Sequence, residues 1–433
     1  MEQILNLALK KCEAAEVFSY TDEEIPVVFE SNRLKNIESS QSTVIALRVI
    51  KNGGIGYGVT TSVEEAEKLV SMAVDTAKFG MKARFELPSP QQYLPVKTYD
   101  SAVEKVTIEE MVKLGQEMVE AVTRASSELI CDAGISRHCG SISIINSSGL
   151  SASCRSSLFS LGIGGTLVRG TDMLFVGDGL SSCRPITSGK KVIDNVLRQL
   201  DWAKHPASLT SGTMPVIFTP HGVENALIAP LASAFNGRMV LEGASPLKGK
   251  LGETLFSSSL SIIDDATTDY EAASAPFDDE GIPTKAMPLI NRGTIENFYY
   301  DLHTAALAGT ASTGNGNRGG GSLPSPGINA LTIKSGDTSF EEMVADIKEG
   351  LIIEQLMGGE QGNILGGDFS GNVLLGFKIE NGKIAGRVKN TMIHGNVYQL
   401  LKDVAAIGND SRWVGTSLKT PSIYCPEISV ATK

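Results

Sequence analysis

A histidine and a glutamate stand three residues apart in the segment TPHGVENALIAPLASAF, residues 219–235, and both side chains can bind a metal ion. Thr219 is a good N-cap and Pro220 is favoured at the first position of a helix, so the sequence predicts a helix that begins here. His221 and Glu224 would then lie about one turn apart on the same side. Because such groups are found in hydrolytic zinc sites, this segment is the first candidate for chemistry.

The same segment lacks most of what a zinc site requires. Hydrolytic zinc needs three protein ligands and one open position, whereas this segment contains a single histidine. His221 would also lie at the positive end of the helix dipole, which disfavours a bound cation. The sequence therefore favours a structural helix, with His221 at the surface near its cap and a kink at Pro230. The predicted buried face has apolar residues spaced by four: Val223, Leu227, Leu231 and Phe235.

A glycine-rich tract, TGNGNRGGGSLPSPG at residues 313–327, could expose backbone N–H groups to a phosphate. It lacks the lysine that follows the last glycine of a phosphate-binding loop, and the sequence after it cannot form the required helix. The tract is instead interpreted as a flexible or peptide-contacting loop in which Arg318, its single charge, is solvated. The candidates for peptide contact are Thr313, Gly314, Asn315, Gly316, Asn317 and Arg318.

Two acidic clusters, at residues 264–265 and 278–280, could bind a hard cation through carboxylate oxygens. The second lies in PFDDEGIPT, which is typical of a turn between strands. In such a turn aspartate accepts hydrogen bonds from backbone N–H groups, and Gly281 would supply a positive φ. The turn is the favoured interpretation of this cluster.

Nucleophilic catalysis finds no support in the sequence. No GxSxG motif is present, and none of the five histidines lies near a recognisable nucleophile. His138 and Cys139 are adjacent, but neighbouring residues of a strand point to opposite faces, so the two side chains could not easily act together.

Composition and charge exclude several classes of function. The chain has 433 residues and a formal net charge of −11, with a pI near 5.1. Its basic residues form no cluster that could neutralise a phosphate backbone, so direct nucleic-acid binding is not expected. No apolar run approaches the roughly 18 residues of a membrane span, and acidic Glu2 stands where a signal peptide needs positive charge. Six cysteines without a CxxC pair predict reduced thiols and a cytoplasmic location.

Periodicity predicts an α+β fold in two domains. Residues 1–205 show helix patterns around antiparallel strands, and residues 206–433 are richer in strands, with the small, polar stretch at 206–214 as the linker. Capping boxes are predicted at Ser62–Glu65 and Thr107–Glu110. The predicted helices are 2–16, 62–80, 107–126, 192–205 and 339–350, and the predicted turns are 52–53, 147–149, 291–293 and 381–382.

Several motifs occur in a fixed order along the chain. In the second half they are PVIFTP, LKGKLGETLFSSSLSIIDDAT, APFDDEGIPT, LINRGTIENFYYDLHTAALAGTASTGNGNRGG, GDFSGNVLLGFKIENGKI and VAAIGND, with weaker matches ESNRLKNIES and GGIGYG in the first half. In this order they resemble the TldD/PmbA family, formerly described as modulators of DNA gyrase, and within it the TldE (PmbA) branch. The resemblance covers nearly the whole chain. It implies a domain of antiparallel sheet plus helices, followed by a β-rich domain of the TldD/PmbA type.

The resemblance also implies a heterodimer in which the TldD-type subunit binds zinc through an HExxxH helix and a later cysteine. On the matching helix of this chain, the three motif positions fall at Leu227, Ile228 and Ala232, which are all apolar. The sequence after residues 408–410 lacks the family's Cys-Gly motif, and Cys425 matches an apolar position. No catalytic, cofactor-binding or metal-binding residue is therefore carried over to this chain, and zinc is expected in the partner.

The resulting hypothesis is a non-catalytic TldE/PmbA-like subunit of a TldD/TldE-type zinc metallopeptidase. Such complexes process modified-peptide precursors and degrade small unfolded proteins. The expected partners are a TldD-type catalytic subunit and an extended peptide, with a homodimer when that subunit is missing. One alternative is a self-sufficient homodimeric peptidase that recruits His221, Glu224 or His303 into an atypical site. Another is a peptide-binding module without proteolytic activity.

Overall fold

A computed structural model describes residues 1–359 and 362–433 of the chain. The N-terminal half forms one antiparallel sheet of long strands. They are β1 (Ala14–Glu30), β2 (Arg33–Ile37), β3 (Ser40–Lys51), β4 (Gly54–Thr60), β5 (Ile130–Asn146), β6 (Ser151–Arg169) and β7 (Asp172–Ser182). Their spatial order is β4-β3-β1-β5-β6-β7, and β2 pairs with the end of β1. β7 is therefore an edge strand of this sheet.

Alternation along these strands separates a buried face from an open one, as expected for an antiparallel sheet. In β1, Val27 and Phe29 are buried, whereas Val28 between them is exposed. The turn between β3 and β4 lies at the predicted position, with φ of 50° at Asn52 and 73° at Gly53. These positive values give a two-residue turn whose twist matches that of the strands.

The helices of this half are α1 (Glu2–Leu9), α2 (Ala66–Thr76), α3 (Ser101–Lys105), α4 (Ile108–Ala125) and α5 (Lys190–Trp202). The capping box predicted for α4 is confirmed, because Thr107 and Glu110 exchange side-chain and backbone hydrogen bonds. The box predicted before α2 is wrong. Ser62 accepts from the N–H of Glu64, and the Glu65 carboxylate accepts from Thr60, because a 3₁₀ turn at Val63–Glu65 precedes the helix.

The C-terminal half contains many shorter strands. They are β8 (Gly212–Phe218), β9 (Ile262–Asp264), β10 (Met287–Asn291), β11 (Thr294–Ile295), β12 (Gly316–Asn317), β13 (Ser325–Pro326), β14 (Leu331–Ile333), β15 (Glu349–Met357), β16 (Asp368–Glu380), β17 (Lys383–Arg387), β18 (Thr391–Asn396), β19 (Ala406–Ile407), β20 (Arg412–Val414), β21 (Leu418–Thr420) and β22 (Ile423–Thr432). One sheet has the order β15-β8-β22-β18-β16-β17 and closes on itself because β15 also pairs with β16. A second has the order β11-β10-β9-β14-β21-β20.

The helices of the C-terminal half are short. They are α6 (Pro220–Val223), α7 (Ala229–Phe235), α8 (Gly237–Glu242), α9 (Leu302–Ala308), α10 (Phe340–Asp346) and α11 (Val397–Leu400). A π-helical turn, Glu224–Ile228, joins α6 to α7, so residues 220–235 form one helical segment directly after β8. This segment is the helix that the sequence predicts, and its start packs on β15 through a hydrogen bond from Thr219 N to Ile353 O of 3.0 Å.

Two predicted helix ends are wrong for the same reason. The first helix ends at Leu9 instead of residue 16, because the chain from Ala14 onward pairs with β3. α10 ends at Asp346 instead of Gly350, because Gly350 belongs to β15 and pairs with β16. In both places the hydrogen bonds of a sheet replace those of the last helical turns, and local periodicity does not contain that information.

The hydrophobic core continues from one half of the chain into the other. Val27 and Leu161 of the first sheet belong to the same buried cluster as Ile352 and Phe377 of the closed sheet. A second large cluster lies within the C-terminal half. The α+β architecture is confirmed, whereas the division into domains at residue 205 stays a prediction. In the part of the chain that the structure describes, no helix is long and apolar enough to cross a membrane.

Candidate functional site

The helical segment after β8 begins as the sequence predicts. Thr219 accepts a hydrogen bond from the N–H of Gly222, and Pro220 occupies the first turn. The predicted buried face is confirmed, since Val223, Leu227, Leu231 and Phe235 are all buried in the core. A π-helical turn precedes Pro230 and widens the helix there, whereas the kink at Pro230 stays a prediction.

The positions that match the zinc motif lie on this segment. The Leu227 side chain is fully buried, and Ile228 and Ala232 are partly buried. None of these three side chains has a nitrogen, oxygen or sulfur atom, so they do not fit a zinc ion. Across residues 1–359 and 362–433, no three His, Cys, Asp or Glu side chains are grouped so that they could hold one metal ion.

His221 is not the surface residue that the sequence predicts. Its Nε2 lies 3.1 Å from Asp178 Oδ1, and its side chain is 21% exposed. Asp178, on β7, also accepts from Arg412 at 2.5 Å and from Asn195 at 2.7 Å. Burial alone would raise the pKa of Asp178, but the hydrogen bonds from His221 and Arg412 outweigh it and hold the pKa below its ordinary value. His221 therefore connects the helix start to the first sheet.

Glu354 lies near this group and is itself fully buried on β15. Gln199 Nε2 donates to Glu354 Oε1 at 3.3 Å, while Glu354 Oε2 has no hydrogen-bond partner among the described residues. Burial raises the pKa of Glu354, and the nearby His221 and Arg198 side chains only partly offset this effect. Burial at this position therefore disfavours the ionised form of the carboxyl group relative to an exposed glutamate.

The sequence alone did not reveal this polar group, because its members are far apart in the chain. Asp178, Glu354 and Arg412 come from β7, β15 and β20. The one available signal is that Glu354 is a lone charge within the apolar run GLIIEQLM, residues 350–357. A charge in such a run is costly to bury, so it marks a position that needs a specific partner.

Glu224 and His303, the other residues proposed for an atypical active site, make no side-chain hydrogen bond to His221 in the described structure. Glu224 is exposed and accepts a hydrogen bond from the side chain of Asn225. His303, on α9, packs edge-on against Phe85 with ring centroids 5.9 Å apart. Burial lowers the pKa of His303, and its Nδ1 has no hydrogen-bond partner within the described chain. Neither residue is held against a carboxylate in the way that His221 is.

The glycine-rich tract is more buried than the sequence predicts. The expectation of a solvated Arg318 is wrong, since this side chain is 1% exposed and paired with Glu16 of β1. Glu16 also accepts from Arg48 at 2.9 Å, and Arg48 donates to Glu280 at 2.5 Å. Two arginines and two glutamates thus form a buried network between the first sheet and the C-terminal half. Mutual pairing offsets the large cost of removing these charges from water.

The candidate peptide-contact residues are mostly part of this interior. Asn315 is buried and donates to Asp264 Oδ2 at 2.6 Å. Gly314, Gly316 and Arg318 are buried as well, Thr313 is partly buried, and Asn317 is exposed. Peptide contact by this segment stays a prediction, with Asn317 as the side chain that is open to a ligand.

The acidic turn at residues 278–280 has the predicted role. Asp278 Oδ1 accepts from the N–H groups of Glu280 and Ile282, both at 2.9 Å, and Gly281 has φ of 75°. Burial and the neighbouring Glu280 charge raise the pKa of Asp278 well above its ordinary value. The Asp278 carboxylate accepts hydrogen bonds from the protein's own backbone, and the Glu280 carboxylate pairs with Arg48. These contacts account for the burial of both groups.

Cys425 lies in β22 and is fully buried. It pairs in register with Val216 of β8, and burial raises the pKa of its thiol to about 12. A metal ligand needs the thiolate form, so the environment of this cysteine favours a structural role.

Two family models match this chain over most of its length. One, described as the PmbA/TldA metallopeptidase C-terminal domain, matches residues 211–432. The other, PmbA/TldA metallopeptidase domain 1, matches residues 15–77. The chain belongs to the PmbA/TldD metallopeptidase family. Its helical segment, closed sheet and glycine-rich tract all fall within the first of these matches.

Individual relatives agree with this assignment. Metalloprotease PmbA of Escherichia coli O157:H7 is 26% identical, over 99% of this chain and 94% of that protein. A metalloprotease of Methanothermobacter thermautotrophicus is 26% identical over 93% of this chain and 89% of its own length. Among solved structures, TldE from Thermococcus kodakarensis has a TM-score of 0.89 at 22% identity, over 100% of this chain and 99% of its own. A putative modulator of DNA gyrase from Thermotoga maritima has a TM-score of 0.90 at 23% identity, covering 99% of both chains. These structural similarities establish the fold.

Proposed function

We propose that this member of the PmbA/TldD family is a TldE/PmbA-like subunit of a TldD/TldE-type zinc metallopeptidase and does not itself bind the catalytic zinc. The complex would act in the maturation of peptides and in the degradation of small unfolded proteins. Zinc would reside in a TldD-type partner, which supplies the activated water and the glutamate base. This chain would complete the enclosure around an extended substrate.

The observation that carries the proposal is the chemistry of the helical segment after β8. The three positions that match HExxxH are Leu227, Ile228 and Ala232, and their side chains cannot coordinate a metal ion. Leu227 is also packed in the core of the C-terminal half. The Leu227 side chain packs the helix against the core. A metal-binding side chain at this position would lose that apolar packing.

A competing hypothesis is a self-sufficient homodimeric peptidase, and one observation favours it. Asp178 holds the His221 ring by a hydrogen bond, and a carboxylate in this relation orients a histidine that acts as a general base. Arg412 binds the same carboxylate oxygen at 2.5 Å and reduces its effect on the ring. A His221→Gln variant separates the hypotheses, because it abolishes the activity of a histidine-dependent enzyme and leaves the activity of a TldD-dependent complex largely unchanged.

The decisive experiment uses the purified chain alone and mixed with a TldD-type chain from the same genome. The proposal predicts substoichiometric zinc and no peptidase activity for the chain alone. For the mixture, it predicts a stable complex of the two chains, detected by light scattering. The mixture should also cleave unstructured peptides, and a chelator should inhibit this cleavage. The matched control is the same partner with the glutamate of its HExxxH replaced by glutamine, which should bind but not cleave. Stoichiometric zinc or chelator-sensitive activity in the isolated chain would overturn the proposal, as would failure to associate.

A further inference from the structure

A cleft of about 400 Å³ lies where the edge strand β7 meets the closed sheet. One wall of the cleft comes from the N-terminal half of the chain. It is the start of β7, which includes Met173 and Phe175. The opposite wall comes from residues 372–374 of β16 and from residues 387–391, between β17 and β18. The volume is within the range of roughly 300–1,000 Å³ that is typical of ligand sites.

One backbone position on the β7 edge is available for pairing. The O of Met173 accepts from Arg387, both backbone groups of Gly177 bond to Gln199, and Gly179 O accepts from Arg412. Odd-numbered residues of β7 therefore direct N–H and C=O away from β6, as alternate residues of an edge strand do. Phe175 has the same orientation, and within the described chain its outward groups have no hydrogen-bond partner.

The facing wall also has an interruption in its strand pairing. β18 pairs with β16 only up to Asn372, and β17 begins to pair at Phe377. On that side of β16, residues 373–375 lack a strand partner in the described structure. The cleft therefore lies between the outward backbone groups of Phe175 and a short stretch of β16 that the sheet leaves unpaired, a setting that favours the addition of an extended chain.

The charge of the cleft is opposite to that of the whole protein. Its charged residues are Asp172, Arg387 and Lys389, two cations and one anion, whereas the chain has a net charge of −11. Asp172 accepts from Arg387 at 3.0 Å and from Lys389 at 2.5 Å. Arg387 is almost fully buried, but the Lys389 side chain is 41% exposed, and its ammonium has further N–H donors for a ligand.

The apolar part of the lining is unusually accessible. Met173 is 47% exposed and Met357 is 56% exposed, although both are large apolar side chains. The flexible, polarisable thioether adapts to different partners, which is why methionine is common on surfaces that bind many peptides. A rigid pocket for one small molecule would bury such side chains more completely.

We propose that this cleft binds an extended peptide segment, with one peptide residue hydrogen-bonded to the backbone of Phe175 and an acidic side chain against Lys389. Apolar side chains of the peptide would contact Met173 and Met357. The inference rests on the proposed function for the source of the peptide and adds to it a binding site and a preferred substrate class. It assigns the recognition of acidic, unstructured segments to this subunit.

The test is fluorescence anisotropy with the full chain alone, so it does not depend on complex formation. The probes are labelled, unstructured peptides, blocked at both ends, in which apolar residues alternate with Glu, Gln or Lys. The Glu peptide should bind about three- to fivefold more tightly than the Gln peptide, a difference expected for an exposed ion pair. This difference in affinity should become smaller as the salt concentration rises. A Gln peptide with a free C-terminus distinguishes a terminal carboxylate from an acidic side chain, and tighter binding through that terminus would overturn the assignment to the side chain.

Variants test the two contacts separately. Lys389→Gln and Lys389→Glu should reduce the preference for Glu, whereas Lys383→Glu, an exposed lysine outside the cleft, should not. Phe175→Pro removes the outward N–H without loss of a ladder hydrogen bond, and Phe175→Ala retains it. The proline variant should bind about fivefold more weakly than the alanine variant.

The outcomes separate this inference from the proposed function. Undetectable binding of the Glu peptide, a preference for the Lys peptide, or affinities unchanged in Lys389→Glu and Phe175→Pro would overturn the peptide cleft. Failure of the chain to associate with a TldD-type subunit, together with Lys389-dependent peptide binding, would overturn the subunit role and leave the cleft supported.

Discussion

Arg318 and Glu16 are 302 positions apart in the sequence and form an ion pair inside the protein. Their side chains are 1% and 0% exposed. The pair joins the glycine-rich tract to the first strand, and Arg48 and Glu280 extend it into a network. The tract is therefore part of the internal structure that connects the two halves of the chain.

Replacement of Arg318 by methionine should strongly destabilise the protein. Methionine retains an apolar stem but leaves Glu16 with one cation instead of two in a buried environment. The expected loss is about 3 kcal/mol of unfolding free energy, measured by urea denaturation. Arg169→Met is the matched control, because Arg169 is paired with Glu128 at the surface and should cost less than about 1 kcal/mol. Equal losses in the two variants would contradict this account.

Replacement of Glu354 by glutamine should change how stability depends on pH. Burial raises the pKa of Glu354 in the folded state, so above the ordinary glutamate pKa the unfolded chain releases a proton that the folded chain retains. Stability then falls as pH rises, by at most about 1.4 kcal/mol per pH unit for this group.

Glutamine does not titrate, so the variant should lose this dependence. Its stability relative to the wild type should be unchanged near pH 4 and should increase toward neutral pH in chemical denaturation. The Gln199 hydrogen bond can still be accepted by the new amide oxygen. Glu349→Gln, at an exposed position on the same strand, is the control. A constant difference from pH 4 to 8 would refute the assignment.

Two glycines, Gly222 in α6 and Gly134 in β5, should respond in opposite ways to alanine. A Cβ at Gly222 would lie 2.4 Å from the backbone O of Ile353, whereas a Cβ at Gly134 would have no atom within 4 Å. Gly222→Ala should therefore push the helix start off β15 and cost about 2 kcal/mol. Gly134→Ala should be neutral or stabilise by about 0.5 kcal/mol through the unfolded state. Thermal melts of the two variants decide the matter, and a destabilised Gly134→Ala would be inconsistent with an open position.

Three cysteines should be protected from thiol reagents in the native protein. Cys131, Cys183 and Cys425 are buried, and burial raises their pKa values to about 11, 11 and 12. Little thiolate is then present at pH 7.5, and the reagent cannot reach it. Mass spectrometry after a short alkylation should find these three unlabelled until urea is added. Native labelling at the rate seen in urea would be the contrary result.

Local signals in the sequence predict much of the fold. The capping box at Thr107 and Glu110, the Asn52-Gly53 turn and the apolar spacing of Val223 to Phe235 each depend on neighbouring residues, and each is confirmed. The physics of a cap, a tight turn or a helix face is contained within a few positions.

The predictions that are wrong concern partners distant in sequence. A lone charge in a loop predicts a solvated Arg318, whereas its actual partner, Glu16, is in the first sheet, 302 positions earlier. The helix start predicts that His221 lies at the surface near the cap, whereas its actual partner, Asp178, is on β7, 43 residues earlier. Pairing of this kind depends on the tertiary fold, so no periodicity in the chain reveals it.

The π-helical turn at Glu224–Ile228 has a consequence for the length of its segment. In a regular helix, residues spaced by four drift about 40° per step, so Val223, Leu227, Leu231 and Phe235 would spread over about 120°. The wider turn accommodates an extra residue and reduces this spread. A deletion of one residue there should restore a regular helix and leave Leu231 and Phe235 directed toward the core, because the wide turn no longer has an extra residue to accommodate. The π-helical turn thus allows the segment to contain one additional residue while the same apolar side chains fill the interior.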